Sequence, residues 1–434
     1  MAQYDRYLEP DVELMPRAEI EALHEQKILE LVPYVYERAP IYRSTWDAAG
    51  VHPRDISSLD DFRERIPFIT KDSVRAFRDQ HGDPFGGLLC VEPDDLTAIM
   101  ASSGTTGDAT LFPERFEKWA PLTTGWMRDL WEHGLRPGDH VVGPVGTFRG
   151  AGMDDMRQLG CIPISIDLSP GTWSNVLDTI ERYQVTYLQM ILPTLSEAER
   201  IAEQRDMRQA LASVKFVSYA GEPLGSRIQA TIRDDWDTRL AMWTSAGDTG
   251  TAWQCREYDG HHLWEDTVIP ETVDSETGDQ VGEGDVGELV VTDIDNMVAP
   301  LVRFRAEDLV RRSSKTCTCG RSHSRIWPVG RASDLTIVQG KGVLPTDIWS
   351  VVERYEETRS ALFQIVRPRR EVDELRIRVG FAQERTRDVD DLRQRLAAGI
   401  ESAVGISPVL EMIEEEQMIA SATALSKIPR IVKS

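Results

Sequence analysis

Six consecutive residues, Ser102, Ser103, Gly104, Thr105, Thr106 and Gly107, form the segment of this chain best suited to hold an anion. Small side chains let backbone N–H groups approach a ligand closely, and the hydroxyls add further donors. Together they can cradle phosphate oxygens. The Gly-Lys-Ser/Thr ending of a Walker A loop is absent, so the loop is of another class. Taken by itself, the cluster fits a surface turn equally well. A second grouping is soft rather than small. Cys317-Thr318-Cys319-Gly320 lies downstream of Cys255, His261 and His262, and His323 follows it. Thiolates and imidazoles suit tetrahedral Zn²⁺. A Cys-x-Cys pair is a weaker signal than Cys-x-x-Cys, and it also fits a set of reduced, unpaired thiols. Cys90 and Cys161 are expected to be buried strand residues.

These groups need a large scaffold. The chain has 434 residues, enough for two to four domains at ~100–200 residues each. With 41% hydrophobic and 28% charged residues, it has the balance of a soluble globular protein. Its 49 basic and 72 acidic residues leave a net charge of −23. That excludes a general binder of nucleic acid or of anionic membranes. An acidic ligand must then meet a local concentration of cations or N–H groups. No apolar run approaches the ~18 residues of a membrane span. The opening MAQYDRYLEPDVEL has no apolar signal-peptide core, so a cytoplasmic protein is expected. Five cysteines are too few and too scattered for a disulfide framework.

Hydrophobic periodicity supplies the positioning elements. Leu14, Ile20, Leu23, Ile28, Leu31 and Val35 predict helix over 11–50, punctuated at Pro40 and Gly50–Pro53. A β-rich stretch is predicted around 90–112. Short apolar runs at 140–146, 161–167, 185–192 and 214–221 alternate with helix-length segments at 117–133, 172–183, 195–212 and 223–236. That alternation predicts βαβ units and a parallel sheet, with ligands at the carboxyl ends of its strands. Residues 255–340 read as β-rich. A smaller pattern follows: helix 345–355, strands near 361–367 and 375–381, helix 386–404 and a strand near 408–413. A domain boundary is placed at Arg331–Asp334.

Several of these segments, in order, resemble the adenylate-forming superfamily, and within it the phenylacetate-CoA ligase type. The resemblance runs over nearly the whole chain. It includes the opening EPDVELMPRAEIEALHEQKILELVPYVYERAPIYR with ISSLDDFRERIPFITKDSVR, the loop MASSGTTGDATLFP (100–113) and GLRPGDHV (134–141). YAGEPLG (219–225), TSAGDTG (244–250), GDVGELVVTDIDNMVAPLVRFRAEDL (284–309), VGRASDLTIVQGKGVLP (329–345) and ALSKIPRIVKS (424–434) continue it.

The resemblance implies an α/β fold. A large multi-subdomain N-terminal adenylation domain with parallel and mixed sheets (1–330, zinc-bearing and β-rich over about 255–325) precedes a small mobile α+β lid (331–434). It implies ATP-dependent conversion of an aromatic acid to an acyl-adenylate, then a thioester with CoA. Ser102–Gly107 would form the phosphate loop, and Ala220, Gly221, Glu222 and Pro223 the adenine side. Asp308 would bind the ribose hydroxyls, with Arg331 beside the nucleotide. Asp248 would hold Mg²⁺. Lys427 would stabilise charge during adenylation, with Arg430 at the family spacing. Arg303 and Arg305 flank the nucleotide motif, one of them paired structurally with a nearby acid. The acid pocket would draw on Phe148, Gly150, Gly152, Tyr219, Trp243, Thr244, Ser245 and Ala246. For zinc the resemblance selects Cys255, His262, Cys317 and Cys319, with His323 a lesser candidate. The metal would staple the β-rich region to the loop after Asp308.

Four positions depart from the family pattern. Asp108 replaces a lysine, Thr244 a tyrosine, Glu307 a glycine and Ser333 the hinge aspartate, with Asp334 next to it. Two alternatives therefore stand beside CoA ligation: transfer of the acyl group to a carrier-protein thiol or an amine, and a catalytically weak nucleotide-binding homologue. Retention of Asp248, Asp308, Lys427 and Arg430 weighs against the last. A homodimer is compatible with the sequence.

Overall fold

A computed structural model describes residues 6–101, 111–114, 125–142, 156–166, 171–190, 192–220, 224–245, 247–420 and 429–433. Contacts divide the chain into two compact units, residues 1–165 with 241–328 and residues 166–240 with 329–434.

The first unit begins with helices Pro10–Glu13, Arg17–Arg38 and Pro40–Ala48 rather than one long helix. Pro16 is the N-cap of the second helix and Pro40 the first residue of the third, where its missing N–H costs nothing, while Pro33 is accommodated inside the second. Ile20, His24, Ile28, Leu31, Val32 and Val35 form the buried stripe of Arg17–Arg38. Ile28, Leu31, Val32 and Val35 pack in one core with Trp46, Phe62, Val291 and Phe304. That core lies against a mixed sheet. Its neighbouring strands run in the order Val268–Val273, Val286–Asp293, Phe304–Ser313, Arg325–Arg331, His261–His262, Thr251–Gln254 and Leu240–Ser245. The first three pair antiparallel. The two-residue strand Ile69–Thr70 pairs parallel with Phe304–Arg305. Helix Lys71–His81 springs directly from it. Thr70 and Ser73 cap that helix reciprocally, and Gly82 closes it with a φ of +67°. A parallel pair joins His140–Val142 to Ile162–Ile164. The stretch predicted as β-rich contains the antiparallel pair Ala98–Ala101 and Leu111–Glu114. Cys90 and Cys161 are buried as expected, but neither lies in a strand; Cys161 immediately precedes Ile162–Ile164. The Cys90 N–H donates to the Val298 carbonyl.

In the second unit, Tyr187–Met190 and Phe216–Tyr219 pair parallel, behind helix Trp173–Tyr183. The helix predicted over 223–236 is short: Ser226–Ala230 runs into a π-turn at Thr231–Asp235. The same unit contains a four-stranded sheet in the order Pro408–Glu414, Leu375–Phe381, Phe363–Val366 and Ile431–Val432. Helices Pro345–Val352 and Val389–Val404 share a core with it, built on Ile348, Val352, Phe363, Ile377, Leu392 and Leu396. A small sheet of Lys341–Val343, Thr336–Val338 and Glu371–Val372 adjoins the turn Ala332–Asp334. Among the described residues, no helix is long and apolar enough to cross a membrane.

Candidate active site and a buried cysteine–histidine centre

Asp248 sits on the turn after strand Leu240–Ser245. Gly247 and Asp248 both have positive φ, +61° and +67°. A side chain at Gly247 would place its Cβ 2.8 Å from Val291 Cγ2 and 3.3 Å from the Ala306 Cβ, so glycine lets the turn lie against the neighbouring strands. The Asp248 N–H donates to the Ser245 hydroxyl at 3.1 Å, which fixes the turn. The Asp248 carboxylate lies 2.9 Å from the Lys71 ammonium, with the two side chains 17% and 19% exposed. Lys71 escaped the sequence reading. One signal was available: a lysine in the first turn of a capped helix faces the positive end of the helix dipole, an unfavourable place unless an anion lies nearby.

Asp308 lies on strand Phe304–Ser313, beside the two-residue strand Ile69–Thr70 that leads into the helix beginning at Lys71. The ladder to Val286–Asp293 shifts register between Glu288 and Val290. Glu307 there has a φ of +65°, and its N–H donates to the Glu288 carboxylate at 3.2 Å. A bulge of this kind re-aims side chains. It also gives a physical reason for a glycine at this position, since glycine adopts positive φ without strain. Arg303 and Arg305 are both paired. Arg303 is buried and donates twice to Glu271, at 3.0 Å each, and to the Ile66 carbonyl at 2.6 Å. Arg305 donates to Glu288 and, at 2.6 Å, to the Ser275 carbonyl.

Trp243 is directly opposite Trp253 across the Leu240–Ser245 and Thr251–Gln254 ladder. The rings stack at 5.6 Å and 13°, and Trp126 tilts against both at 6.5 and 6.3 Å. Trp243 thus packs in an indole cluster, and Thr244 and Ser245 continue its strand. In the second unit, Tyr219 and Ala220 are buried at the carboxyl end of the parallel strand Phe216–Tyr219, where ligands of such sheets are expected. Arg331 ends strand Arg325–Arg331 and is half-buried. Arg430 lies 4.1 Å from the Trp349 ring and 4.8 Å from Phe363. It donates to the carbonyls of Ala361 at 2.8 Å and Phe363 at 3.3 Å, which ties the last strand to its sheet. Ser102–Gly107, Asp108, Phe148, Gly150, Gly152, Gly221, Glu222, Pro223, Ala246 and Lys427 lie outside the described residues.

The four proposed zinc ligands converge. Donor atoms of Cys255, His262, Cys317 and Cys319 all lie within 4.8 Å of one another, and all four residues are buried. A tetrahedral Zn²⁺ site implies about 3.8 Å between sulfurs and about 3.6 Å from sulfur to nitrogen. The Cys255–Cys317 sulfurs are 3.9 Å apart, and Cys319 Sγ is 3.4 Å from His262 Nε2. His262 Nδ1 lies 3.3 Å from the His323 carbonyl, an arrangement that turns Nε2 toward the thiols. The Cys317–Arg321 turn is closed by Cys317 N–H to the Arg321 carbonyl and Gly320 N–H to the Cys317 carbonyl, both 2.9 Å. The hydrogen bond from Cys255, with His262 and Arg321 nearby, pushes the Cys319 thiol well below its usual range, whereas sharing that bond and burial push Cys255 up. The donor set fits zinc. Both ring nitrogens of His323 are engaged elsewhere: Nδ1 accepts from the Glu265 N–H at 3.0 Å, and Nε2 lies 2.9 Å from the Val12 carbonyl. His323 is thereby a supporting residue. Arg321, 1% exposed, backs the centre and pairs with buried Glu13 and Glu132.

No family model matches the chain. Among curated proteins, the phenylacetate-coenzyme A ligase of Thermus thermophilus is 30% identical over 429 residues, covering 92% of this chain and 93% of that one. The enzymes of that name from Aromatoleum evansii and Escherichia coli are 30% and 29% identical, covering 80% and 90% of this chain and 78% and 90% of their own. Among solved structures, a 2-hydroxyisobutyryl-CoA ligase in its postadenylation state with R3-HIB-AMP superposes with a TM-score of 0.84 at 22% identity, over 99% of this chain and 92% of that one. The anthranilate CoA ligase AuaEII with anthranoyl-AMP gives 0.58 at 17% identity, over 78% and 67%. This likeness places the fold among the adenylate-forming CoA ligases. With 30% identity across nine-tenths of both chains, the protein belongs to the phenylacetate-CoA ligase family of AMP-forming acid–thiol ligases.

Proposed function

We propose that this enzyme joins an aromatic carboxylic acid to CoA through an acyl-adenylate. The observation that supports the aromatic substrate is 29–30% identity, over 80–92% of the chain, to relatives named for phenylacetate. Lys71 and Asp248, 2.9 Å apart, and Asp308, on the strand beside Ile69–Thr70, supply groups for a nucleotide. In the first half-reaction a carboxylate oxygen of the acid attacks the α-phosphorus of ATP, and pyrophosphate leaves. Positioning and charge stabilisation account for most of such a rate. Asp308 holds the ribose hydroxyls and Asp248 offers a hard oxygen for Mg²⁺. When bound, that ion neutralises phosphate charge. Lys427 places a further cation at the α-phosphate. In the second half-reaction the CoA thiol attacks the acyl carbonyl and AMP departs. The segment 331–434 acts as a lid that turns between the two steps. Its hinge, at residues 331–334, is held by Arg367, which donates to the carbonyls of Ser333 and Leu335. Cys255, His262, Cys317 and Cys319 hold a structural zinc.

The test is ATP–pyrophosphate exchange across benzoic, phenylacetic, hydroxyaryl and aminoaryl acids, followed by thioester assay of the best acid with CoA. Exchange with an aryl acid and a CoA thioester are expected. Exchange without thioester moves the acceptor to a carrier thiol or an amine. A preference for a short aliphatic acid, or no exchange at all, refutes the aromatic reading.

A further inference from the structure

Glu353 follows helix Pro345–Val352 and is 4% exposed. Its Oε1 accepts two hydrogen bonds from one residue, the Ser226 N–H and the Ser226 hydroxyl, each at 2.9 Å. Its other oxygen lies over Gly225. A Cβ built there would stand 1.5 Å from Glu353 Oε2 and 2.8 Å from Trp349 Nε1. The backbone at Gly225 is ordinary extended chain, φ −63° and ψ 153°, which any residue can adopt. Glycine is therefore needed for space alone: it leaves a socket that the Glu353 carboxylate fills. Ion pairs flank the socket. Arg227 grips Glu199 at 2.8 and 3.2 Å and donates to the Arg359 carbonyl at 2.8 Å. Arg359 pairs with Glu203 at 3.0 Å, and Arg385 meets the same carboxylate. All these residues belong to the second unit. The seam joins the helical part of the lid segment to the chain directly after YAGEPLG.

We propose that Glu353 and Gly225 form a latch, with Glu353 a positioning residue for the adenine side of the nucleotide site. This rests on the reading of residues 219–225 as the adenine-side loop and of 331–434 as the lid. Docking of Glu353 fixes the Ser226 N–H and hydroxyl, and with them the end of that loop. ATP is bound productively while the latch is made. Its release is required before the CoA half-reaction. A buried carboxylate with two donors makes the docked state definite, because a carboxylate left without them would be costly.

The experiment uses full-length enzyme and approaches the latch from both sides, with Gly225→Ala filling the socket and Glu353→Ala emptying it. Glu353→Gln, which retains an acceptor oxygen, serves as the conservative rescue. Readouts are the KM for ATP and for the acid in pyrophosphate exchange, thioester formation from supplied acyl-adenylate and CoA, and hydrogen exchange at the Ser226 amide. Both alanine variants are expected to raise the KM for ATP about 10- to 100-fold, the range expected for loss of a charge-assisted hydrogen bond. They should leave the KM for the acid within about twofold, speed exchange at Ser226, and leave the thioester step equal or faster. Glu353→Gln should recover part of the loss. The double variant should be no worse than the worse single one, because both break one contact. An unchanged KM for ATP in folded Gly225→Ala, or equal losses in both half-reactions, overturns the latch. Absence of nucleotide-dependent exchange in the wild type overturns the functional reading beneath it, and the latch's nucleotide role with it. The two failures are distinguishable, because in the first the wild type exchanges normally.

Discussion

Replacing Lys71 with methionine tests how the candidate metal acid is held. Two unit charges 2.9 Å apart attract by about 6 kcal/mol at an effective dielectric of about 20, before desolvation. Water still reaches both side chains, which are 19% and 17% exposed, so the net attraction is ~1–2 kcal/mol. A divalent cation approaching Asp248 must displace the ammonium and overcome that amount. Lys71→Met should therefore lower the Mg²⁺ concentration for half-maximal adenylation about tenfold, since ~1.4 kcal/mol is a factor of ten. Lys71→Arg, which keeps the charge, should leave it nearly unchanged. The assay is ATP–pyrophosphate exchange titrated with Mg²⁺, supported by direct Mn²⁺ binding to the nucleotide-free protein. A half-saturation point that stays put or rises in Lys71→Met, with the fold intact by circular dichroism, would refute competition for one carboxylate.

Metal analysis after dialysis should find about one zinc per chain. Cys319→Ser should lose it together with several degrees of Tm, because a closed four-ligand site contributes directly to folding; five freely titratable thiols in metal-free, fully stable protein would contradict this. Gly247→Ala should cost ~1–3 kcal/mol and sharply reduce adenylation, since it combines positive φ with a clash against Val291; an unchanged melting curve would count against the tight turn. Glu265 predicts a pH effect. Burial alone would raise its pKa, but the Arg17 guanidinium and the Ser324 N–H hold it below the usual value. A depressed folded-state pKa stabilises above the unfolded value of about 4.3 and loses that contribution as pH falls through the folded one. Glu265→Gln should flatten the loss of stability below about pH 4, measured by denaturant unfolding across pH, and an unaltered slope would exclude the pairing.

What was legible in the sequence followed local rules. The thiols stood out because ligand chemistry restricts residue type, and the family resemblance picked His262 from the neighbouring histidines. Strands at 187–190 and 216–219 announced themselves as apolar runs, and helix Val389–Val404 by its period. What escaped depends on distant partners. Nothing near Lys71 names Asp248, and nothing near Gly225 names Glu353. The role of His323 was decided by hydrogen bonds to Glu265 and Val12, residues from two other segments. The helix expected over 223–236 failed where its backbone widened into a π-turn, a change that apolar spacing does not report.

The two-residue pairing of Ile69–Thr70 with Phe304–Arg305 acts as a ruler. Both strands run in the same direction, so Lys71 leaves the sheet while the neighbouring strand still has Ala306, Glu307 and Asp308 to run. Backbone spacing of about 3.3 Å per residue then sets the offset between the Lys71 ammonium and the Asp308 carboxylate. Loss or gain of one residue between Pro67 and Thr70 would move that cation by one step and turn it to the opposite face. The separation of Lys71 from Asp308 is thus set by main-chain hydrogen bonds, and a deletion there would change it without altering either residue.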